Sequence, residues 1–265
     1  MTATAVPFHQ SRLNQFVAAA FSGSRVLSLN AVAMLACFAL CMGLQLLDAR
    51  ELNGANIWLK PGKFFLSLSV HFVTIAWAMS LATPATLEKR TVRFAVLGLI
   101  ISAWGELAYI TFRATQGEAS HFNVSTPLNA LLYQVMALGS VVLVVAASII
   151  AVTIWRANRT SIWTQSTAIG FVLATVLTLI VGFTLGGNSS HWIGGDMTDA
   201  TGLPIFKWST TGGDLRVSHF VSLHAMQVVP LAALSGRRNV VWAAAFAIAV
   251  VTALTYVQAL NGIPL

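Results

Sequence analysis

The chain has 265 residues, of which 57% are apolar and only 9% are charged, and its mean hydropathy is +0.77. Such values exclude an ordinary water-soluble domain of this length and predict that lipid is the solvent for most of the surface. The formal net charge of +7 does not indicate a nucleic-acid-binding protein. Its Lys and Arg residues lie in short gaps between apolar runs instead of forming one basic patch.

The first 25 residues precede the first long apolar run and form a segment of their own. Within it, Leu13, Phe16, Val17, Ala20 and Phe21 recur at helical spacing. This pattern favours a short helix lying in the membrane interface, and a partly ordered tail is the open alternative.

Seven continuous apolar stretches follow, each long enough to cross a bilayer as a helix, for which about 20 residues are needed. In chain order they are Val26–Leu47, Phe64–Thr83, Val92–Phe112, Leu128–Trp155, Trp163–Leu185, Val217–Leu234 and Val240–Leu260. A transmembrane barrel would show short alternating segments instead. We therefore predict an all-α membrane protein, with a bundle of seven transmembrane helices over residues 26–265.

Basic residues in alternate loops predict the orientation of the bundle. The segment before the first span and the loops after the second, fourth and sixth spans carry Arg12, Arg25, Lys89, Arg90, Arg93, Arg156, Arg159, Arg237 and Arg238. Glu88 is their acidic neighbour, whereas acids and bases are balanced in the other loops. The N-terminus is therefore expected in the cytoplasm and the C-terminus outside, as an odd number of spans requires.

Five of the six histidines fall in the predicted outer loops or the outer half of the membrane. They are His71, His121, His191, His219 and His224, whereas His9 lies near the N-terminus. Ionisable side chains within a span are costly in lipid, so those inside the membrane are functional candidates by default.

His71, Glu106 and His224 are predicted to lie at a similar depth. Each is seven or eight residues along its helix from a basic residue near the outer boundary, these being Lys63, Arg113 and Arg216. A rise of about 1.5 Å per residue places all three about 10–12 Å below that boundary. Two histidines and one carboxylate are the ligand set of a facial-triad iron site or an open zinc site. The two histidines alone suit the axial positions of a b-type haem.

Cationic side chains surround this predicted site. Lys60, Lys63, Arg113 and Arg216 lie where haem propionates would emerge, and the same cations suit the anionic group of a quinone-like molecule or a membrane lipid. Gln227 is a further candidate contact on the sixth span.

The spacing of the histidines on the sixth span separates their roles. His219 and His224 are five residues apart, about 140° around a helix, so they should not both bind one ion. We favour His224 as the ligand and place His219 in the mouth of the site, with His121 as a weaker candidate in a loop. Asp214 is expected to cap the sixth helix and is a candidate base.

Three strings carry a resemblance to known proteins: WLKPGKF at residues 58–64, SHFN at 120–123 and GGDLRVSHFVSLHAMQ at 212–227. Together they resemble a family of bacterial seven-helix integral membrane proteins of unassigned function. This resemblance extends over nearly the whole chain and implies a bacterial cytoplasmic membrane and a shared outer site.

Ser67 and His71 carry a weaker likeness, to the zinc hydrolase superfamily that includes alkaline ceramidases and adiponectin receptors. In that superfamily a Ser-x-x-x-His element joins a later histidine pair around zinc. The candidate pair here is His219 and His224, and Glu106 stands where the superfamily has an aspartate.

Three functional hypotheses follow. The leading one is a membrane-embedded oxidoreductase or electron carrier with haem b or iron held by His71 and His224, and with Glu106 handling protons or serving as third ligand. The second is a zinc-dependent lipid hydrolase in which metal-bound water is the nucleophile and Glu106 or Asp214 the base. The third is a transporter or binding protein for a small solute, with Glu106 and His71 as a proton relay.

Overall fold

The computed structural model describes residues 12–265, with side chains described from residue 14. Its helices are α1 (Arg12–Gly23), α2 (Arg25–Leu47), α3 (Leu59–Met79), α4 (Pro84–Leu87), α5 (Arg90–Thr115), α6 (Pro127–Ala157), α7 (Ile162–Asn188), α8 (Leu215–Leu223), α9 (Ala225–Leu231) and α10 (Arg238–Leu260), with a 3₁₀ turn at Ala232–Ser235. Two short antiparallel pairs are formed by β1 (Glu51–Leu52) with β2 (Ala55–Asn56) and by β3 (Trp192–Ile193) with β4 (Gly213–Asp214).

Seven helical segments within residues 12–265 are long and apolar enough to cross a membrane. They are α2, α3, α5, α6, α7, the continuous stretch Leu215–Ser235 and α10. The prediction of an all-α bundle of seven transmembrane helices is confirmed, and the orientation of the termini stays a prediction.

The second span begins earlier than its apolar run predicts. Helix α3 starts at Leu59 instead of Phe64, because Pro61 lies in the first turn, where its missing N–H costs no hydrogen bond. As a result, Lys60 and Lys63 belong to the first turns of α3 instead of a loop.

The predicted short helix before the first span is confirmed as α1. Its Phe16 stacks on Trp77 of α3 with ring centroids 6.4 Å apart. A Cβ on Gly23 would collide with the carbonyl oxygen of Ala76, so the end of α1 packs directly on the backbone of α3. The first 11 residues of the predicted N-terminal segment, including His9, lie outside the described residues.

The sixth span is not one regular helix. Helix α8 ends at Leu223 and α9 begins at Ala225, with His224 at the junction at φ −73° and ψ −5°. Pro230 lies inside α9, where it removes a backbone donor and crowds the preceding turn. Gly170 of α7 accommodates this irregular stretch, since a Cβ there would come within 2.7 Å of the Ala225 carbonyl oxygen.

The loops 48–58, 116–126 and 189–214 lie at one end of the bundle, called the distal end below. The hairpin β1–β2 turns through Asn53 and Gly54, whose positive φ values of 54° and 78° suit a two-residue turn. The Asn53 carbonyl accepts a hydrogen bond of 2.7 Å from the Asp199 amide, which ties the hairpin to loop 189–214. A Cβ on Gly213 would collide with the Ala259 carbonyl, so this loop also packs on the end of α10.

Candidate functional site

A polar cluster lies at the distal end between α3, loop 116–126 and α8. Nζ of Lys60 is 3.4 Å from Nδ1 of His121, and Oγ of Ser120 is 3.1 Å from the same nitrogen. The His121 ring packs between aromatic neighbours, with its centroid 5.8 Å from that of Phe64 and 6.1 Å from that of Tyr133. The sequence indicated His121 only as a loop residue, and the fold encloses it.

The charge state of His121 follows from these surroundings. Burial, followed by the positive charge of Lys60 and the proximity of His219, holds the pKa of His121 well below its ordinary value. The imidazole is therefore neutral at neutral pH and presents a lone pair to Lys60 or Ser120.

His219 and His224 have different neighbours. His219 lies within electrostatic reach of His121, and its Nδ1 is buried without a hydrogen-bond partner. Nδ1 of His224 is instead 2.7 Å from the carbonyl oxygen of Phe220, and the two rings lie 4.0 Å apart. Phe220 packs in turn on Trp208 of loop 189–214. As the spacing predicts, the two histidines are separated: His224 packs against Phe220, whereas His219 lies in the cluster.

Glu106 is 4% exposed and lies on α5 in the distal half of the bundle. Its Oε1 has no hydrogen-bond partner and faces Gly139 of α6, where a Cβ would lie 3.0 Å from that oxygen. Lys60 is within electrostatic reach, although the two form no ion pair within 4 Å. The absent side chain of Gly139 thus provides room for a carboxyl group whose Oε1 has no hydrogen-bond partner.

His71 lies farther from the distal end than Glu106. Its Nδ1 is 3.2 Å from Sδ of Met226, and its other face is turned to the backbone of Leu143. Because Gly139 and Leu143 are one turn apart on α6, His71 and Glu106 contact the same face of that helix about 6 Å apart along its axis. The predicted common depth is therefore approximate.

Gln227 connects the same two helices as His71. Its Nε2 donates to Oγ1 of Thr74 at 3.1 Å, while its Oε1 is buried without a partner. Gln227 is thus placed on the side of α9 that faces α3, next to Met226.

Arg216 fastens loop 189–214 to the start of α8. Its Nη1 lies 2.9 Å from Oδ1 of Asp199, its Nη2 lies 2.6 Å from Oδ2 of Asp214, and the same Nη2 donates to the Lys207 carbonyl at 2.5 Å. Lys63 adds a contact, since its Nζ donates to the Phe206 carbonyl at 3.2 Å. The loop therefore covers the distal end instead of extending away from it.

Asp214 acts as the predicted cap of α8. Its Oδ1 accepts from the Arg216 amide at 2.9 Å and its Oδ2 accepts from the Ser209 amide at 2.9 Å. Both oxygens also contact the Arg216 guanidinium. A carboxylate engaged on both oxygens is a poor general base, so the predicted catalytic role has no support from these contacts.

Arg113 has contacts other than those of the cluster around Lys60. It forms an ion pair with Glu118 and lies 6.0 Å from the ring centroid of Tyr109. Ser67, which carries the likeness to the zinc hydrolases, is exposed on the outside of the bundle. The structure thus leaves both residues outside the site that the sequence predicted for them.

Sequence reasoning did not single out Asp199 or Gly139. Asp199 is 17 residues from Arg216, and Gly139 is 33 residues from Glu106, so only the folded chain brings each pair together. A glycine in an apolar run does not by itself predict that a carboxyl group lies opposite it.

Within the described part of the chain, no three His, Cys, Asp or Glu side chains are grouped so as to hold a metal ion. In addition, the Lys60 ammonium at Nδ1 of His121 opposes a second cation at that nitrogen. The donor set therefore does not fit a three-ligand metal site, and the contacts of His71 and His224 do not fit an axial pair.

Comparison with protein-family models, curated proteins and solved structures found no match for this chain.

Proposed function

We propose that the protein binds a small solute at the distal cluster and moves it across the membrane together with a proton carried by Glu106. The observation that supports this function best is Glu106 itself: a carboxyl group within a span, 4% exposed, with one oxygen unpartnered and Lys60 within electrostatic reach. A carboxyl group in this position is expensive in lipid, and proton transfer is a common reason for retaining one.

Unpaired polar atoms on the helices that carry Glu106 and its neighbours support a ligand or water site. Buried polar groups in folded proteins nearly always have partners, so a set of unpaired ones requires an explanation. Among the described residues of α5, α8 and α9, such atoms include Oε1 of Glu106, the hydroxyls of Tyr109 and Thr111, Nδ1 of His219 and Oε1 of Gln227. A bound polar solute with its waters would supply the missing partners.

Apolar side chains pack much of the bundle interior next to this polar region. Those at 0% exposure include Phe72, Ile75, Leu99, Ile150 and Phe171. A transporter requires such packing to open and close, and the break at His224, with Pro230 in the following helix, provides a hinge. Broken helices of this kind recur at the binding sites of secondary transporters.

The haem or iron oxidoreductase and the zinc lipid hydrolase stay predictions, and no contact favours either over the proposed function. The cellular location is part of the proposal as well. A bacterial cytoplasmic membrane with the distal end outside is supported by the basic residues concentrated at the opposite end, among them Lys89, Arg90, Arg237 and Arg238.

Uptake into proteoliposomes tests this function without knowledge of the solute. Vesicles carrying the wild type, Glu106→Gln or no protein are given a uniformly ¹³C-labelled small-molecule cell extract and an imposed pH gradient. Mass spectrometry of the lumen then identifies any labelled solute that has accumulated. Glu118→Gln is the matched control, because that carboxylate is paired with Arg113 and half exposed.

We expect at least one labelled solute to accumulate only with the wild type and Glu118→Gln, and only with a pH gradient. Failure of the wild type to accumulate any solute in a gradient-dependent way would overturn the proposed function. Full accumulation by Glu106→Gln would remove Glu106 as the proton carrier.

A further inference from the structure

We infer that the solute is a small oxyanion, presenting a phosphate or carboxylate group, which binds Lys60 and Lys63 beneath loop 189–214. This inference rests on the proposed function and names the class of its substrate.

The pairing of charges at the distal end leaves Lys60 and Lys63 without a carboxylate within 4 Å, although Asp199 acts on both from farther away. Three arginines at this end are neutralised by carboxylates within 4 Å: Arg50 by Asp48, Arg113 by Glu118, and Arg216 by Asp199 and Asp214. Among the described residues of the distal end, Lys60, Lys63 and Lys207 have no such carboxylate. Partly buried cations favour a counter-ion, because few water molecules are there to solvate them.

The direct contacts of the two lysines are neutral. Lys60 meets the imidazole of His121, and Lys63 donates to the carbonyl oxygen of Phe206. Each ammonium group has three N–H donors, and each of these contacts engages one of them. Donors on both side chains therefore stay free for a ligand.

The backbone adds to the positive potential at this position. Lys60 and Lys63 are three residues apart on α3, which places them on neighbouring positions of one face, within electrostatic reach of each other. Trp58 at the N-cap of α3 supplies no side-chain hydrogen bond to the first turn. Free N–H groups and the positive end of the helix dipole thus reinforce two like charges, and an anion between them relieves their repulsion.

The surroundings restrict the ligand to a small one. Loop 189–214 is held close by Arg216, and its Phe206 carbonyl reaches Lys63 itself. Arg216, whose planar guanidinium would suit a bidentate ligand, is already occupied by carboxylates. Lys60 and Lys63 present ammonium groups, which bind oxyanions as point charges.

Glu106 lies within electrostatic reach of Lys60, on the side of the membrane interior. When this carboxyl group is ionised, it competes with an external anion for the same ammonium group. Glu106→Gln removes that competition and should not weaken anion binding, whereas removal of either lysine should weaken it.

Calorimetric titration of the intact protein in nanodiscs of zwitterionic phosphatidylcholine tests this site, with inorganic phosphate and acetate as probes. We expect Lys60→Gln and Lys63→Gln each to weaken binding of the preferred probe about tenfold or more. Glu106→Gln should bind it at least as tightly as the wild type. Lys89→Gln is the matched control, an exposed lysine at the opposite end, and should bind like the wild type.

A second arm distinguishes a free oxyanion from the phosphate of a lipid headgroup. Nanodiscs containing phosphatidylglycerol should leave the titration unchanged if the natural ligand is free, and should abolish it if a headgroup fills the site. Either result supports an oxyanion site. Loss of the titration would identify the natural ligand as a lipid headgroup instead of a free solute.

Binding of neither probe and no effect of phosphatidylglycerol would overturn the inference, as would unchanged binding by both lysine variants. Size-exclusion profiles matching the wild type show that a variant is folded. The uptake experiment separates the two proposals: gradient-dependent accumulation of a neutral or cationic solute overturns the oxyanion and leaves the transporter. Anion binding without any uptake overturns the transporter and leaves the oxyanion site.

Discussion

Nη1 of Arg216, in the first turn of α8, lies 2.9 Å from Oδ1 of Asp199 in the middle of loop 189–214. The side chains are only 23% and 17% exposed, so water screens their attraction incompletely. The same guanidinium binds Asp214 and the Lys207 carbonyl. One side chain thus connects three points of the loop to the sixth span.

Replacement of Arg216 by Gln should therefore release loop 189–214. Hydrogen–deuterium exchange of peptides from this loop should become at least about tenfold faster, because the loss of a shielded ion pair raises the population of opened loop. Arg237→Gln, an exposed arginine just beyond the other end of the same span, is the control and should leave the exchange unchanged. Equal protection in both variants would show that Arg216 does not fasten the loop.

Docking of the loop should weaken in acid, through His191 and then Asp199. Burial is the main cause that lowers the pKa of His191, so the docked loop holds this imidazole neutral. Burial raises the pKa of Asp199, but its contacts with His191 and Arg216 outweigh that effect and lower it overall. Protonation of His191 in the opened loop thus weakens docking as pH falls below about 6.5. Protonation of Asp199 weakens docking only below about pH 4.

Exchange of the loop amides, corrected for the intrinsic rate, measures this dependence. We expect faster opening as the buffer is changed from about pH 7.5 to about pH 5.5, since His191 then gains a proton in the opened state. The opening of His191→Gln should not change over this interval. If opening of the loop in that variant increased as much as in the wild type, the pH dependence would belong to another group.

Gly170 should be the glycine of α7 that is least tolerant of a side chain. A Cβ there would lie 2.7 Å from the Ala225 carbonyl oxygen and 2.9 Å from Cδ of Pro230, and neither can move without shifting α9. We expect Gly170→Ala to destabilise the protein by about 1–3 kcal/mol. Gly182→Ala on the same helix meets nothing within 4 Å and should unfold like the wild type in a thermal melt in detergent.

Gly139→Ala should impair the proposed function without unfolding the protein. The new methyl group would lie 3.0 Å from Oε1 of Glu106, so that carboxyl group must shift by a few tenths of an ångström. We expect gradient-dependent uptake to fall about 3- to 10-fold, since small displacements of a reacting group are costly. Gly105→Ala, at the position before Glu106, is the control, because the Cβ added there would have no atom within 4 Å. Equal uptake by both variants would contradict the proposed role of Glu106.

An absorption spectrum with metal analysis tests the haem and metal hypotheses. His71 is in contact with Met226, and His224 with the Phe220 carbonyl, so we expect no haem band and less than about 0.1 metal ion per chain. The protein is measured as purified in detergent, before and after reduction. A haem band that is lost in both His71→Ala and His224→Ala would restore the oxidoreductase hypothesis.

The sequence predicts the architecture well because the relevant signals are local. A run of about 20 apolar residues specifies a span whatever its neighbours are. All seven predicted spans correspond to helical segments of the structure. The helix ends are less well predicted, since Lys60 and Lys63 interrupt the apolar run while the helix continues through them.

The gathering of polar residues at one end also follows from the sequence alone. Alternate spans run in opposite directions, so positions counted from each loop place His71, Glu106, His121 and His219 in the same half of the bundle. The structure agrees with that placement through the contacts of Lys60 with His121 and of His71 with Met226.

Only the tertiary structure decides which of these side chains meet. A helix that is apolar on nearly all sides carries no mark of its rotation about its axis, so depth and spacing favoured His224 but could not show which neighbours either histidine meets. The packing of Phe220 on loop 189–214 and the break at His224 settle that rotation. The pairing of Arg216 with Asp199 and the position of Gly139 opposite Glu106 likewise depend on contacts between distant parts of the chain.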